Sequence, residues 1–159
     1  MLLNSGLRPG AKSSLGFTIL ELAVALGIVA VLAAIALPSY STYRDRVRTD
    51  QARKDIITMA PAIERYQLDA RAYPDSLADA GLGTPRDPWG RPYEYLPLDG
   101  GRNRGRARKD HSLVPINSDF DLYSQGPDGR SAPPLTSRLS RDDIVRANNG
   151  AFVGVAAGY

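Results

Sequence analysis

Residues Phe17 to Leu37 form a continuous, predominantly apolar tract of 21 residues in which Glu21 is the one ionisable side chain. As an α-helix the tract rises roughly 31 Å, close to the hydrocarbon thickness of a bilayer. It is long enough to span a membrane. Ala33, Ala34 and Ala36 also resemble the small-residue end of a cleaved signal peptide, so pattern alone leaves a retained helix and a removed signal both open. Glu21 sharpens the question, because a carboxylate inside such a helix is kept only where something compensates it. Either a cation from a partner does so, or Glu21, one turn from the helix start, reaches the headgroups.

Gly16-Phe17-Thr18-Ile19-Leu20-Glu21 resembles the processing motif of type IV pilins and type II secretion pseudopilins. The resemblance implies cleavage by a prepilin peptidase between Gly16 and Phe17, N-methylation of Phe17, and survival of the helix in the mature chain. It also implies a role for Glu21 in assembly, pairing with the N-terminal amine of a neighbouring subunit.

Composition fits a small membrane-anchored domain. Of the 159 residues, those beyond the tract suffice for one domain with one core, and a second is not expected. The chain has no cysteine and hence no disulfide. Many type IV pilins carry one, so the resemblance leans toward the pseudopilins. Loss of Arg8 and Lys12 with the leader takes the formal charge from +3 to +1, which argues against nucleic acid as a partner. Arg44, Arg46, Arg48, Arg53 and Lys54 follow the tract, and counted naively they place that side in the cytoplasm. Asp45 and Asp50 interleave with them in what reads as a continuing helix, and the processing motif requires the leader to face the cytoplasm.

Beyond Leu37 the helix is expected to continue, kinked at Pro38 where a backbone donor is missing. Ile56, Met59, Ala60 and Ile63 recur at helical spacing, which predicts a core face under a small sheet. Pro61 predicts a second kink or a break near Ala60, and Tyr73-Pro74 lies past the helix end. Tyr66-Gln67-Leu68-Asp69, Tyr73-Pro74, Gly81-Leu82 and Asp87-Pro88-Trp89-Gly90-Arg91-Pro92-Tyr93 together resemble the major pseudopilin, or G-subunit, family of type II secretion. Within that block Trp89 reads as a core anchor.

Tyr93-Glu94-Tyr95-Leu96 and Asp119-Phe120-Asp121-Leu122-Tyr123 alternate as half-buried strands do. Between them Arg102, Arg104, Arg106 and Arg108 recur every second residue. In extended chain they would form a basic stripe facing DNA phosphate, an acidic exoprotein or a neighbouring subunit; the Gly and Asn content reads instead as a solvated loop.

The G-subunit resemblance further implies one structural calcium ion held by Asp128, Asp142 and Asp143, with the backbone carbonyl of Gln125 as a fourth candidate ligand. Converging carboxylates and carbonyls supply the oxygens that a hard cation needs. An EF-hand is excluded, because counting from Asp119 the fifth position is Tyr123 and the twelfth Arg130. Apart from the resemblance, Asp142 or Asp143 reads as the cap of a short helix through Ala147. Asn148-Asn149-Gly150 turns into an apolar tail, Ala151 to Val155, that adds an edge strand or frays.

Enzymatic chemistry has little support: His111 is the single histidine, no thiol exists, and no phosphate loop or zinc-ligand spacing occurs. The expected fold is α+β and pilin-like. A leader (1–16), a membrane and assembly helix (17–37) and a periplasmic continuation (38–73) precede a small β-rich domain (74–159). The resemblance implies a subunit of a periplasmic pseudopilus, anchored in the bacterial inner membrane and polymerising with itself. Its implied partners are the prepilin peptidase, minor pseudopilins, an assembly platform with its ATPase, and secreted proteins. A type IV pilus subunit for adhesion or DNA uptake is the nearest alternative, and a membrane-anchored periplasmic enzyme is the second.

Overall fold

The computed structural model describes residues 16–101, 103–111 and 113–159, with Pro38 and Ser39 described in backbone only. The expectations placed on Arg8, Lys12 and Arg102 lie outside the described residues. The chain divides into two compact units, Met1–Ser41 and Thr42–Tyr159.

In the first unit, helix α1 (Ile19–Ala70) begins two residues later than the apolar tract. Thr18 accounts for the offset. Its Oγ1 accepts the Glu21 backbone N–H at 3.1 Å, as an N-cap residue does, and an N-cap lies outside helical geometry. From Phe17 to Leu37 every Phe, Ile, Leu and Val is exposed, Phe17 by 85%. A helix apolar on all sides has no face suited to water. By length and composition it can cross a membrane.

The second unit contains the rest of α1 and two sheets. Ala52, Ile56, Met59 and Ile63 are fully or almost fully buried, with Ala60 half-buried beside them, so the anticipated stripe is the core face. α1 runs through Pro38 and Pro61 without interruption, and the break expected near Ala60 does not occur. Pro61 is exposed and costs the helix about 3 kcal/mol. Ile56, Met59 and Ile63, at roughly 1.5–3 kcal/mol of burial each, outweigh that and hold the helix to the sheet on both sides of the proline.

The main sheet is antiparallel, in the order β1 (Glu94–Pro97), β4 (Phe120–Ser124), β5 (Ile144–Ala147), β6 (Phe152–Val155). A two-stranded ribbon of β2 (Lys109–Asp110) and β3 (Val114–Pro115) stands apart from it. Phe120, Leu122 and Ile144 join the α1 stripe, Leu77 and Tyr93 in one core; Val145 and Ala147 join Ile116, Leu135 and Ala156 in a second. Side chains alternate across a strand, so these two cores lie on opposite faces of the sheet. That is why all four residues of β5 are buried. The helix-capping reading of Asp142 and Asp143 is therefore corrected: Ile144 to Ala147 is strand, paired on both sides. The tail does add an edge strand, β6, in register Ile144↔Val155 through Ala147↔Phe152.

The two strands predicted by alternation appear one residue late, as β1 and β4. Asp87-Pro88-Trp89-Gly90 forms a turn in which Asp87 Oδ1 accepts the backbone N–H of Trp89 at 3.0 Å and of Arg91 at 2.9 Å. This seats Trp89 against the helix–sheet core, the place expected for an anchor. The arginine run is not a stripe: Arg104 and Arg106 are exposed in a turn, whereas Arg108 is buried.

Candidate functional site

Two places carry the functional residues anticipated from the sequence, one in each unit. At the start of α1, Gly16 and Phe17 are exposed and precede the helix. A Cβ built on Gly16 meets nothing within 4 Å. Glu21 sits in the first helical turn, where the unpaired backbone N–H groups and the helix dipole favour a negative charge. Thr18 was missed as a functional residue, although the spacing Thr-x-x-Glu over Thr18 to Glu21 is a capping-box signature.

The second place is the long connection between β4 and β5. Gly126 lies so close to Asp142 that a Cβ on it would come within 2.2 Å of the Asp142 carbonyl oxygen, and its φ of +63° suits glycine as well. Asp142 Oδ2 accepts the Asp128 backbone N–H at 3.2 Å, and Asp128 Oδ1 accepts that of Arg130 at 2.8 Å. Asp128, Asp142 and the Gln125-Gly126 segment are thus brought together. The Gln125 side-chain amide donates to Glu94 Oε1 at 3.1 Å.

Asp143 is engaged differently. It is fully buried, and its Oδ2 accepts from Arg108 Nη2 at 2.5 Å and from Ser131 Oγ at 2.6 Å. Burial pushes its carboxyl up to about 6, against the opposing pull of Ser131 and of the Arg108 guanidinium. Its Oδ1 is buried without a hydrogen-bond partner. Among the described residues no group of three or more His, Cys, Asp or Glu side chains is placed to hold a metal ion.

Arg146 was likewise missed. It is 1% exposed, its guanidinium lies 3.9 Å from the Phe120 ring centroid, and Nη1 and Nη2 donate to the two Asp119 oxygens at 2.9 and 2.7 Å. An arginine between Val145 and Ala147 in an otherwise apolar run was the only signal for it.

The type II secretion system core protein G of Pseudomonas aeruginosa is 30% identical to this chain over 136 residues, covering 72% of this chain and 84% of that protein. This chain belongs to the core protein G family. Core protein G of Pectobacterium carotovorum is 28% identical over 137 residues, covering 72% of this chain and 76% of that protein. The likeness to the type IV major pilin protein PilE1 of Neisseria gonorrhoeae is shorter, 34% over 70 residues, or 44% of this chain and 42% of that pilin. No family model and no solved structure matches. The core protein G family comprises the major pseudopilins of type II secretion, and the pilins are more distant kin.

Proposed function

We propose that this pseudopilin is processed between Gly16 and Phe17, N-methylated on Phe17, and polymerised through α1 into a periplasmic fibre that helps to export folded proteins. The observation that carries this reading is the first unit's helix, whose large apolar side chains are all exposed and which therefore calls for lipid first and sister helices afterwards. Packing one surface of a subunit against a different surface of the next builds an open filament where the rotation does not close. Glu21 supports the reading in two ways. The helix start eases its charge while the subunit waits in the bilayer, and the amine on a neighbour's Phe17 neutralises it on assembly. Gly16 supports it too: among the described residues nothing crowds that position, so a requirement for glycine there would come from an outside agent such as the peptidase.

In this reading the subunit is anchored once in the inner membrane with its second unit in the periplasm. The prepilin peptidase, minor pseudopilins, the assembly platform with its ATPase, and secreted proteins are its partners. The role is mechanical rather than catalytic, and force comes from the platform.

Mass spectrometry of the mature N-terminus tests the first step, with N-methyl-Phe17 the expected result and an uncut chain or one starting beyond Ala36 the refuting one. For the second step, Glu21→Ala is expected to insert in the membrane as wild type does and to be lost from sheared fibres. Wild-type fibre yield from that variant would show that Glu21 serves only at the headgroups.

A further inference from the structure

We infer that the β4–β5 connection of this chain is fastened by its own guanidinium groups, with Arg108 on Asp143 standing where the family resemblance implies calcium. The anticipated ligands were Asp128, Asp142, Asp143 and the Gln125 carbonyl. Calcium takes six to eight oxygens. In this chain one oxygen of each of the three carboxylates is already engaged. Asp142 and Asp128 each accept a backbone N–H of the connection itself, and the Gly126 carbonyl accepts from Arg91 Nη2. The same guanidinium lies against Gly129, where a Cβ would fall 2.7 Å from Arg91 Nη1. Asp143 Oδ2 already holds a cation. A divalent ion at Asp143 Oδ1, its one open oxygen, would sit within a few ångströms of a buried positive charge, and that repulsion is strong away from water.

Arg108 ties together parts of the chain that are distant in sequence. Its Nη1 donates to Ser131 Oγ and to the Ala132 carbonyl at 2.7 Å, and its Nη2 to Asp143 at the entry to β5. Its backbone N–H donates to Asp121 Oδ2 on β4 at 2.6 Å, and its guanidinium lies 4.4 Å from the Tyr123 ring centroid. Strand β4, the middle of the connection and the start of β5 thus converge on one residue that is 3% exposed. Closing a long loop in this way is what an ion or a disulfide does in other chains. A planar, permanently charged fork is suited to the task because it satisfies several acceptors at once without depending on dissolved metal.

The test uses the full chain in detergent micelles, with thermal unfolding followed by the fluorescence of Trp89, the single tryptophan. The wild-type melting temperature is expected to be the same in EDTA, in millimolar calcium and in millimolar magnesium. Arg108→Gln is expected to melt lower by on the order of 10 °C in all three. Arg108→Lys, which keeps the charge but loses the fork, should fall in between and covers the case in which the glutamine variant does not fold. A wild-type melting temperature raised by calcium and not by magnesium would overturn the inference, as would wild-type melting of Arg108→Lys and Arg108→Gln in EDTA.

Discussion

At the scale of single residues, the second unit buries several charged side chains beside its sheet. Arg108 with Asp143, and Arg146 with Asp119, place two guanidinium groups against the sheet, where removing one partner strands the other. Asp121 belongs to the same layer: it is 1% exposed and accepts from the Arg108 backbone N–H and from Asn117 Nδ2. Burial raises its pKa, although those two hydrogen bonds and the nearby Arg108 charge oppose the shift. A folded-state pKa above the unfolded one gives a contribution to stability that is complete below the ordinary value of 3.8 and is lost as pH rises through the raised value. Asp121→Asn stays neutral and escapes that loss. The unfolding free energy of the variant minus that of wild type, from denaturant titrations between about pH 3 and 7, should therefore increase with pH. A flat difference would contradict the assignment.

Among the elements, α1 combines two different physical problems in one continuous helix. Its first part is apolar on every side, whereas past Thr42 only the stripe Ala52, Ile56, Met59 and Ile63 is buried. Ile56 and Ile57 give a direct comparison, being adjacent and identical in chemistry but fully buried and 50% exposed respectively. Ile56→Ala is expected to cost about 2–5 kcal/mol. Ile57→Ala should remain within about 0.5 kcal/mol. Denaturant unfolding of both variants measures the difference, and equal costs would mean that the stripe has been placed on the wrong face. The spacing of the stripe was legible in the sequence because period 3.6 is a local pattern. The passage through Pro61 was not, because the burial that outweighs a missing hydrogen bond comes from Phe120, Leu122 and Ile144 far along the chain.

The whole molecule is two units with separate needs. The second carries both cores and both sheets, so a fragment beginning at Thr42 should remain in solution without detergent and unfold in a single cooperative transition. It should also fail to join fibres, since it lacks Phe17 and Glu21. Aggregation of that fragment, or a melt without cooperativity, would show that the second unit depends on the first for its fold.

The apolar tract, the Gly16 to Glu21 motif, the helical core stripe and the alternating strands were all determined by the sequence, because each is a pattern among near neighbours. So was membership of the pilin-like α+β class, through motifs such as Asp87 to Tyr93. The tertiary structure alone decided that Ile144 to Ala147 is a strand covered on both faces and that Arg108 leaves its run of exposed arginines. It also decided that Asp143 meets that guanidinium apart from Asp142 and Asp128. The reason is common to all three: whether a side chain is buried, and against what, depends on partners dozens of residues away, and no local spacing records where they will be.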